Sequence, residues 1–204
     1  AKENIRQAAL KKELELASEM QSMLFPTSLP KDNKLEASAF YLPHQEVGGD
    51  YYDFIWLNEN ECAFCVADVS GKGVAAALLM SNFQANLRVL FSHITSLTEL
   101  VKELNTKVFN NAKGEKFITF FIAHYRVDSR ELKYVNAGHN HPFITNGRKV
   151  EMLTEGSIGL DMLDELPFIQ IGTKTLNPNT TIVLYTDGVV ELENEYSEFF
   201  GVER

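Results

Sequence analysis

Three short segments gather glycine and aspartate where an apolar run ends or a helix begins. They are Val47-Gly-Gly-Asp-Tyr-Tyr-Asp-Phe54, Ala67-Asp-Val-Ser-Gly-Lys-Gly-Val74 and Leu184-Tyr-Thr-Asp-Gly-Val-Val-Glu191. Asp68 and Asp187 each close an apolar run, so their carboxylates are expected to emerge together at the rim of a sheet. Asp50 follows paired glycines, which allow backbone to approach a ligand closely. Hard divalent cations take oxygen ligands, and a shared carboxylate can hold two ions several ångströms apart. Two such ions can clamp both the attacking water and the leaving oxygen of a phosphoryl group. Asp-Gly is also ordinary turn chemistry; three such segments in one chain are what point to a shared site.

Two look-alikes fail. Gly48-Gly-Asp50 runs into Tyr51-Tyr52 and lacks the Glu-Phe ending of a diguanylate cyclase hairpin. Ser70-Gly-Lys-Gly73 lacks both the earlier glycine and the Ser or Thr after Lys that a phosphate-binding P-loop requires. Cys62 and Cys65 form a C-x-x-C pair inside a strand-like run, which sends the thiols to opposite faces. They read as two reduced, packed side chains.

Further polar residues cluster near these turns. Asp53 lies three residues beyond Asp50 and on a strand faces the other way, which favours a structural role over a ligand. His139 and His141 could share a face, but a hard-cation site prefers oxygen, so supporting roles are expected for both. Thr119 reads as a strand hydroxyl near the site. Lys72 is either a phosphate attractor or a solvated turn residue.

Residues 3–24 read as a helix ended by Pro26 and Pro30, with apolar stripes Leu10-Leu14-Ala17-Leu24 and Ile5-Ala9-Leu16-Met20-Met23. A face that wide suggests a second partner, as in a coiled coil; a plain helix packed on its own domain is the alternative. Apolar runs predict strands over 35–44, 51–57, 62–69, 117–127, 132–136, 143–145, 150–153, 168–171 and 181–186. Asn146-Gly147 marks a hairpin. Helices are predicted from Val74 to His93 and from the capping box Ser96-Leu-Thr-Glu99 onward. Strands, two helices, then strands argue for α+β with antiparallel sheets.

The chain has 204 residues, with 19 Lys and Arg against 28 Asp and Glu, a formal charge of −9. Without a local basic patch, that balance argues against nucleic-acid and anionic-membrane partners. No uninterrupted apolar run approaches a membrane span, which leaves an expected cytoplasmic setting with no direct membrane insertion.

Taken in order, Gly48-Gly-Asp-Tyr-Tyr-Asp53, Asp68-Val-Ser-Gly-Lys-Gly73 with Ala75-Ala-Ala-Leu-Leu-Met80, Phe117-Ile-Thr119, Asn136-Ala-Gly-His139, Gly156-Ser-Ile-Gly-Leu160 and Tyr185-Thr-Asp-Gly-Val189 with Glu191 strongly resemble the stage II sporulation protein E family. These are bacterial metal-dependent Ser/Thr phosphatases related to protein phosphatase 2C, and they include environmental stress phosphatases that control sigma factors. The resemblance implies a sandwich of two antiparallel β-sheets flanked by helices, with two Mn²⁺ or Mg²⁺ ions at one end. Carried over by position, Asp68 is the bridging ligand, Asp50 and Asp187 supply further carboxylates, and the Val69 carbonyl is the backbone ligand beside the Gly71 turn. Asp53, Gly71, Lys72, Thr119 and His139 are expected to support the site. The implied chemistry is direct attack of activated water on phosphoserine or phosphothreonine, without a phosphoenzyme.

The resemblance also makes residues 1–30 a linker helix from an absent upstream sensor domain, with Leu16, Met20, Met23 and Leu24 as its regulatory face. A regulatory protein or a second copy of the chain could engage that helix. Residues 31–204 form the phosphatase domain, and the chain is expected to lack the family's last helix and strand, which carries another metal-binding Asp. The implied substrate is an anti-sigma-antagonist-type phosphoprotein. The rival reading is a non-catalytic switch that uses the phosphatase fold to bind a partner.

Overall fold

Strand β3 (Ile118–Arg126) shows why this chain folds in layers. Successive side chains of a strand point to opposite faces. Phe120 and Ile122 on one face, and Phe121 and Ala123 on the other, are all fully buried. Such a strand needs cover on both sides. The computed structural model, which describes residues 2–91 and 96–202, shows what supplies it.

β1 (Tyr51–Asn58), β2 (Glu61–Val69), β3 and β4 (Glu131–Ala137) form an antiparallel meander. The far edge of β4 is shared. β7 (Gly156–Ser157) pairs in parallel with its end, and β8 (Gly172–Thr175) pairs antiparallel with its start. A smaller sheet has the order β6-β5-β9, from β5 (Phe143–Thr145), β6 (Val150–Met152) and β9 (Thr181–Val183). The β5–β6 hairpin turns at Asn146-Gly147, where Gly147 takes φ +81°, the left-handed region open to glycine.

One face of the larger sheet carries α2 (Val74–Phe91) and α3 (Leu97–Ala112). Met80, Phe83 and Leu87 from α2 and Leu100, Leu104 and Val108 from α3 pack with Phe120, Ile122 and Val135. On the opposite face, Phe121, Tyr134 and Leu132 meet Leu153, Ile144 and Ile182. Among the described residues α2 alone is long and apolar enough to cross a bilayer by length and composition. Its Ala76, Met80, Phe83 and Leu87 side chains are nevertheless buried in this core. α3 is capped by Ser96. The expected extension of α2 to His93 lies outside the described residues.

Several expectations need correction. Residues 35–44 form no named strand; a turn in which Asp32 accepts the Lys34 and Leu35 amides leads into irregular chain with Phe40 and Leu42 exposed. The strand expected at 168–171 appears four residues later, at Gly172–Thr175. There the absent side chain of Gly172 makes room for the Tyr134 ring. β9 stops at Val183, and the short helix α4 (Asp187–Val190) follows. One strand pair, β4 with β7, is parallel rather than antiparallel. α1 (Lys2–Ser22) ends before Met23 and Leu24, which fall in the succeeding turn rather than on the helix.

Candidate active site

The register of β1 on β2 brings the first two acids together. Tyr51 pairs with Ala67, so one step further Asp50 stands across from Asp68. Even-numbered β2 residues point away from the helix layer, since Cys65, Ala67 and Val69 face it. The third acid, Asp187, opens α4 after the chain leaves β9. The preceding Thr186 does not cap that helix; its hydroxyl donates to Asp50 Oδ2 at 3.1 Å. Thr186 thereby ties the Asp187 turn to the Asp50 turn.

The electrostatics are those of crowded acids. Burial, with the charges of Asp50, Asp187 and Glu191 behind it, pushes Asp68 up to about 8. Asp50 is also raised, first by burial and further by Asp187, while hydrogen bonds from Thr186 and Asp68 act the other way. Both shifts run in the direction expected of buried carboxylates crowded by like charge. Crowded hard oxygen donors of like charge suit a divalent cation. Among the described residues, no three His, Cys, Asp or Glu side chains are grouped closely enough to cage an ion unaided. The charge of Asp187 acts on both Asp50 and Asp68.

Backbone surrounds the pair closely. The Val69 carbonyl faces Gly49, where a Cβ would stop 2.9 Å from the oxygen. Gly71 takes φ +89°, and a Cβ there would lie 2.5 Å from Lys116 Nζ. Lys116 donates to the Ser70 carbonyl at 2.9 Å, and the Phe117 amide donates to Ser70 Oγ at 3.0 Å. The turn after Asp68 is thus pinned by the start of β3. Lys72 is exposed, and the cation held against this turn is Lys116.

His139 is buried with both ring nitrogens engaged. Nδ1 lies 2.8 Å from Thr119 Oγ1 and Nε2 lies 3.0 Å from the Tyr185 carbonyl. A carbonyl only accepts, so Nε2 carries the proton and Nδ1 accepts from Thr119. Burial lowers the pKa to about 4, keeping the ring neutral. With no free lone pair for a metal, His139 bridges β3 to the segment leading into Asp187. Asn136 braces it, accepting the His139 amide at 2.7 Å and donating to its carbonyl at 3.0 Å.

Asp53 stands apart from the three acids. It projects into the helix layer, where Arg88 of α2 grips it at 2.9 and 3.0 Å and the Tyr51 hydroxyl donates at 2.5 Å. His141 is exposed. Sequence reasoning missed Arg88, Thr186, Lys116, Gln21 and Tyr41. Arg88 had a signal: it is the lone charge in an 18-residue helix, and so calls for a partner. Gln21 meets Gly48 through two hydrogen bonds. The Tyr41 hydroxyl is buried with no partner among the described residues, and burial together with the Asp50 charge pushes it up to about 12.

The chain is similar to several known proteins. The chain is 30% identical over 192 residues to the phosphoserine phosphatase RsbU of Bacillus subtilis, covering 93% of this chain and 56% of that protein. It is 25% identical to the phosphoserine phosphatase RsbP of the same organism, covering 89% of this chain and 46% of RsbP. The chain therefore spans about half the length of these two relatives. Among solved structures, the SiaA-PP2C domain of Pseudomonas aeruginosa superposes with a TM-score of 0.82 at 20% identity, over 97% of this chain and 80% of that one. That likeness establishes the PP2C fold. The family model described as Stage II sporulation protein E (SpoIIE) matches residues 58–204, and the chain belongs to that family.

Proposed function

We propose that this domain is a protein-serine/threonine phosphatase that removes phosphate from a phosphoprotein, with Asp50, Asp68, Asp187 and the Val69 carbonyl holding Mn²⁺ or Mg²⁺. The observation that carries the reading is the β1–β2 register that sets Asp50 across from Asp68 at the sheet rim, with Thr186 tying the Asp187 turn to Asp50. When bound, such ions lower the pKa of water and offset charge on the phosphoryl oxygens. The chain's own residues prepare for that chemistry. Thr186 fixes one Asp50 oxygen, Oδ2. Lys116, held at the Ser70 carbonyl, places positive charge beside the turn that follows Asp68, where it would attract phosphate. His139 stays neutral and keeps Tyr185 and Asp187 in register with β3.

The substrate that fits the family is an anti-sigma-antagonist-type phosphoprotein, and the setting is the cytoplasm. Residues 1–30 act in this reading as a linker through which an upstream sensor, a regulatory protein or a second copy exerts control. Its support is the exposure of Leu16 and Met20 on α1 and of Met23 in the turn after it, Met20 and Met23 being 63% and 69% exposed. A second reading, a partner-binding switch without catalysis, draws on the lack of a three-residue metal cage among the described residues. Phosphate release from a phosphoserine protein, followed with and without Mn²⁺, separates them. The phosphatase reading expects Mn²⁺-dependent release that disappears in Asp68→Ala. Equal release by Asp68→Ala and the unsubstituted chain refutes it.

A further inference from the structure

Gln21 is the one residue of α1 that is buried. Its amide is fully used on a single residue: Nε2 donates to the Gly48 carbonyl at 2.8 Å, and Oε1 accepts the Gly48 amide at 3.0 Å. Gly48 lies beyond the last β1–β2 pair, Tyr51 with Ala67. The side chain therefore serves the backbone there as a neighbouring strand would. Four residues on, buried Phe25 packs against Tyr41, Tyr52 and Tyr51, with ring centroids 4.5, 5.1 and 5.7 Å away. Asp50 is consequently held on both sides by one short stretch of chain. Gln21 grips the residue two before it, and Phe25 packs on the two residues after it. Between them Gly49 is pressed toward the Val69 carbonyl and Ala76, with no room for a Cβ.

We propose that Gln21 is a positioning residue of the metal site, acting through Gly48 to set where the Asp50 carboxylate stands relative to Asp68 and the Val69 carbonyl. The inference rests on the reading of Asp50 as a metal ligand. Two hydrogen bonds aimed at one glycine constrain its peptide planes directly, whereas an apolar contact of the same size would tolerate sliding. A buried amide that lost Gly48 would also be left unpaired, so the end of α1 and the Asp50 turn are held together or released together.

The test is calorimetric titration of Mn²⁺ into the full chain and its variants. Gln21→Met keeps the length of the side chain and removes both hydrogen bonds; its Mn²⁺ Kd is expected to rise about tenfold. Gln21→Asn carries the same amide on a shorter stem and is expected to weaken Mn²⁺ in the same direction, which covers poor folding of the Met variant. Glu19→Gln, an exposed neighbour on α1, is expected to bind as the unsubstituted chain does. In metal-free protein, amide hydrogen exchange at Asp50 and Tyr51 is expected to quicken in both Gln21 variants. Unchanged exchange there overturns the inference without reference to metal. Unaltered Mn²⁺ affinity in both Gln21 variants, alongside lost binding in Asp50→Asn, overturns it and leaves the Asp50 reading standing. Unaltered affinity in Asp50→Asn overturns both.

Discussion

Replacing Arg88 with Met tests how the fold holds the strand that follows Asp50. The Asp53 side chain is 1% exposed and Arg88 46% exposed, so the substitution strands a buried carboxylate while removing a cation that water half screens. Asp53 would keep the Tyr51 hydroxyl and its contact with the Phe54 amide, and lose both guanidinium bonds. Breaking a fully buried ion pair by removing one partner costs about 3–5 kcal/mol. Exposure of Arg88 lowers the expectation to about 2–3 kcal/mol. For a chain of this size that corresponds to a fall in Tm of roughly 4–12 °C. Urea unfolding in excess chelator, followed by far-ultraviolet circular dichroism, should show the midpoint falling at constant slope. Asp53→Asn with Arg88→Met completes a double-mutant cycle, expected to show coupling of about 1 kcal/mol or more. A loss below about 0.5 kcal/mol in Arg88→Met, or additive single variants, refutes the claim that this pair anchors β1 to α2.

His139 makes stability depend on pH. Its folded pKa lies at about 4, below the ordinary value near 6.5, so the unfolded chain binds the proton first. Stability is complete above the ordinary value and declines as pH falls toward 4. A His139→Gln variant should flatten the urea-midpoint slope between about pH 6.5 and 5.5; an unchanged slope counts against the neutral bridge. Gly49→Ala places a Cβ 2.9 Å from the Val69 carbonyl and 3.2 Å from Ala76. It should cost about 1–3 kcal/mol in urea unfolding, and a neutral result would mean that Gly49 is not confined. The exposed stripe of α1 should support concentration-dependent dimerisation by light scattering. Leu16→Glu combined with Met20→Glu should abolish it, and a monomer at every concentration would refute the expectation.

Much of the scaffold could be read from local pattern. The bounds of β3 follow from an apolar run between polar turns, and the β5–β6 hairpin from Asn146-Gly147. Segment 35–44 has the same kind of run yet forms no strand, because apolar composition does not supply a pairing edge. Phe168–Ile171 failed for a related reason: β8 forms where Gly172 can sit against Tyr134, a condition set by a distant ring. β7, two residues long, has no periodicity to detect. The acids were legible as turn residues, but their pairing was not, since it depends on the Tyr51–Ala67 register. The Arg88 grip on Asp53 and the Gln21 grip on Gly48 are likewise long-range facts, 35 and 27 residues apart in sequence.

The His139 bridge also has a mechanical meaning. Asp50 and Asp68 belong to the larger sheet, whereas Asp187 arrives on the chain leaving the smaller one. Two stacked sheets can shear past each other without breaking a hydrogen bond inside either, since only side chains interlock between them. A displacement of one strand repeat, about 3.3 Å, would part Asp187 from the other two acids and leave both ladders intact. His139, bonded to Thr119 on β3 and to the Tyr185 carbonyl, opposes that motion as a peg opposes sliding boards. The spacing of the acids thus measures the alignment of the two halves of the sandwich.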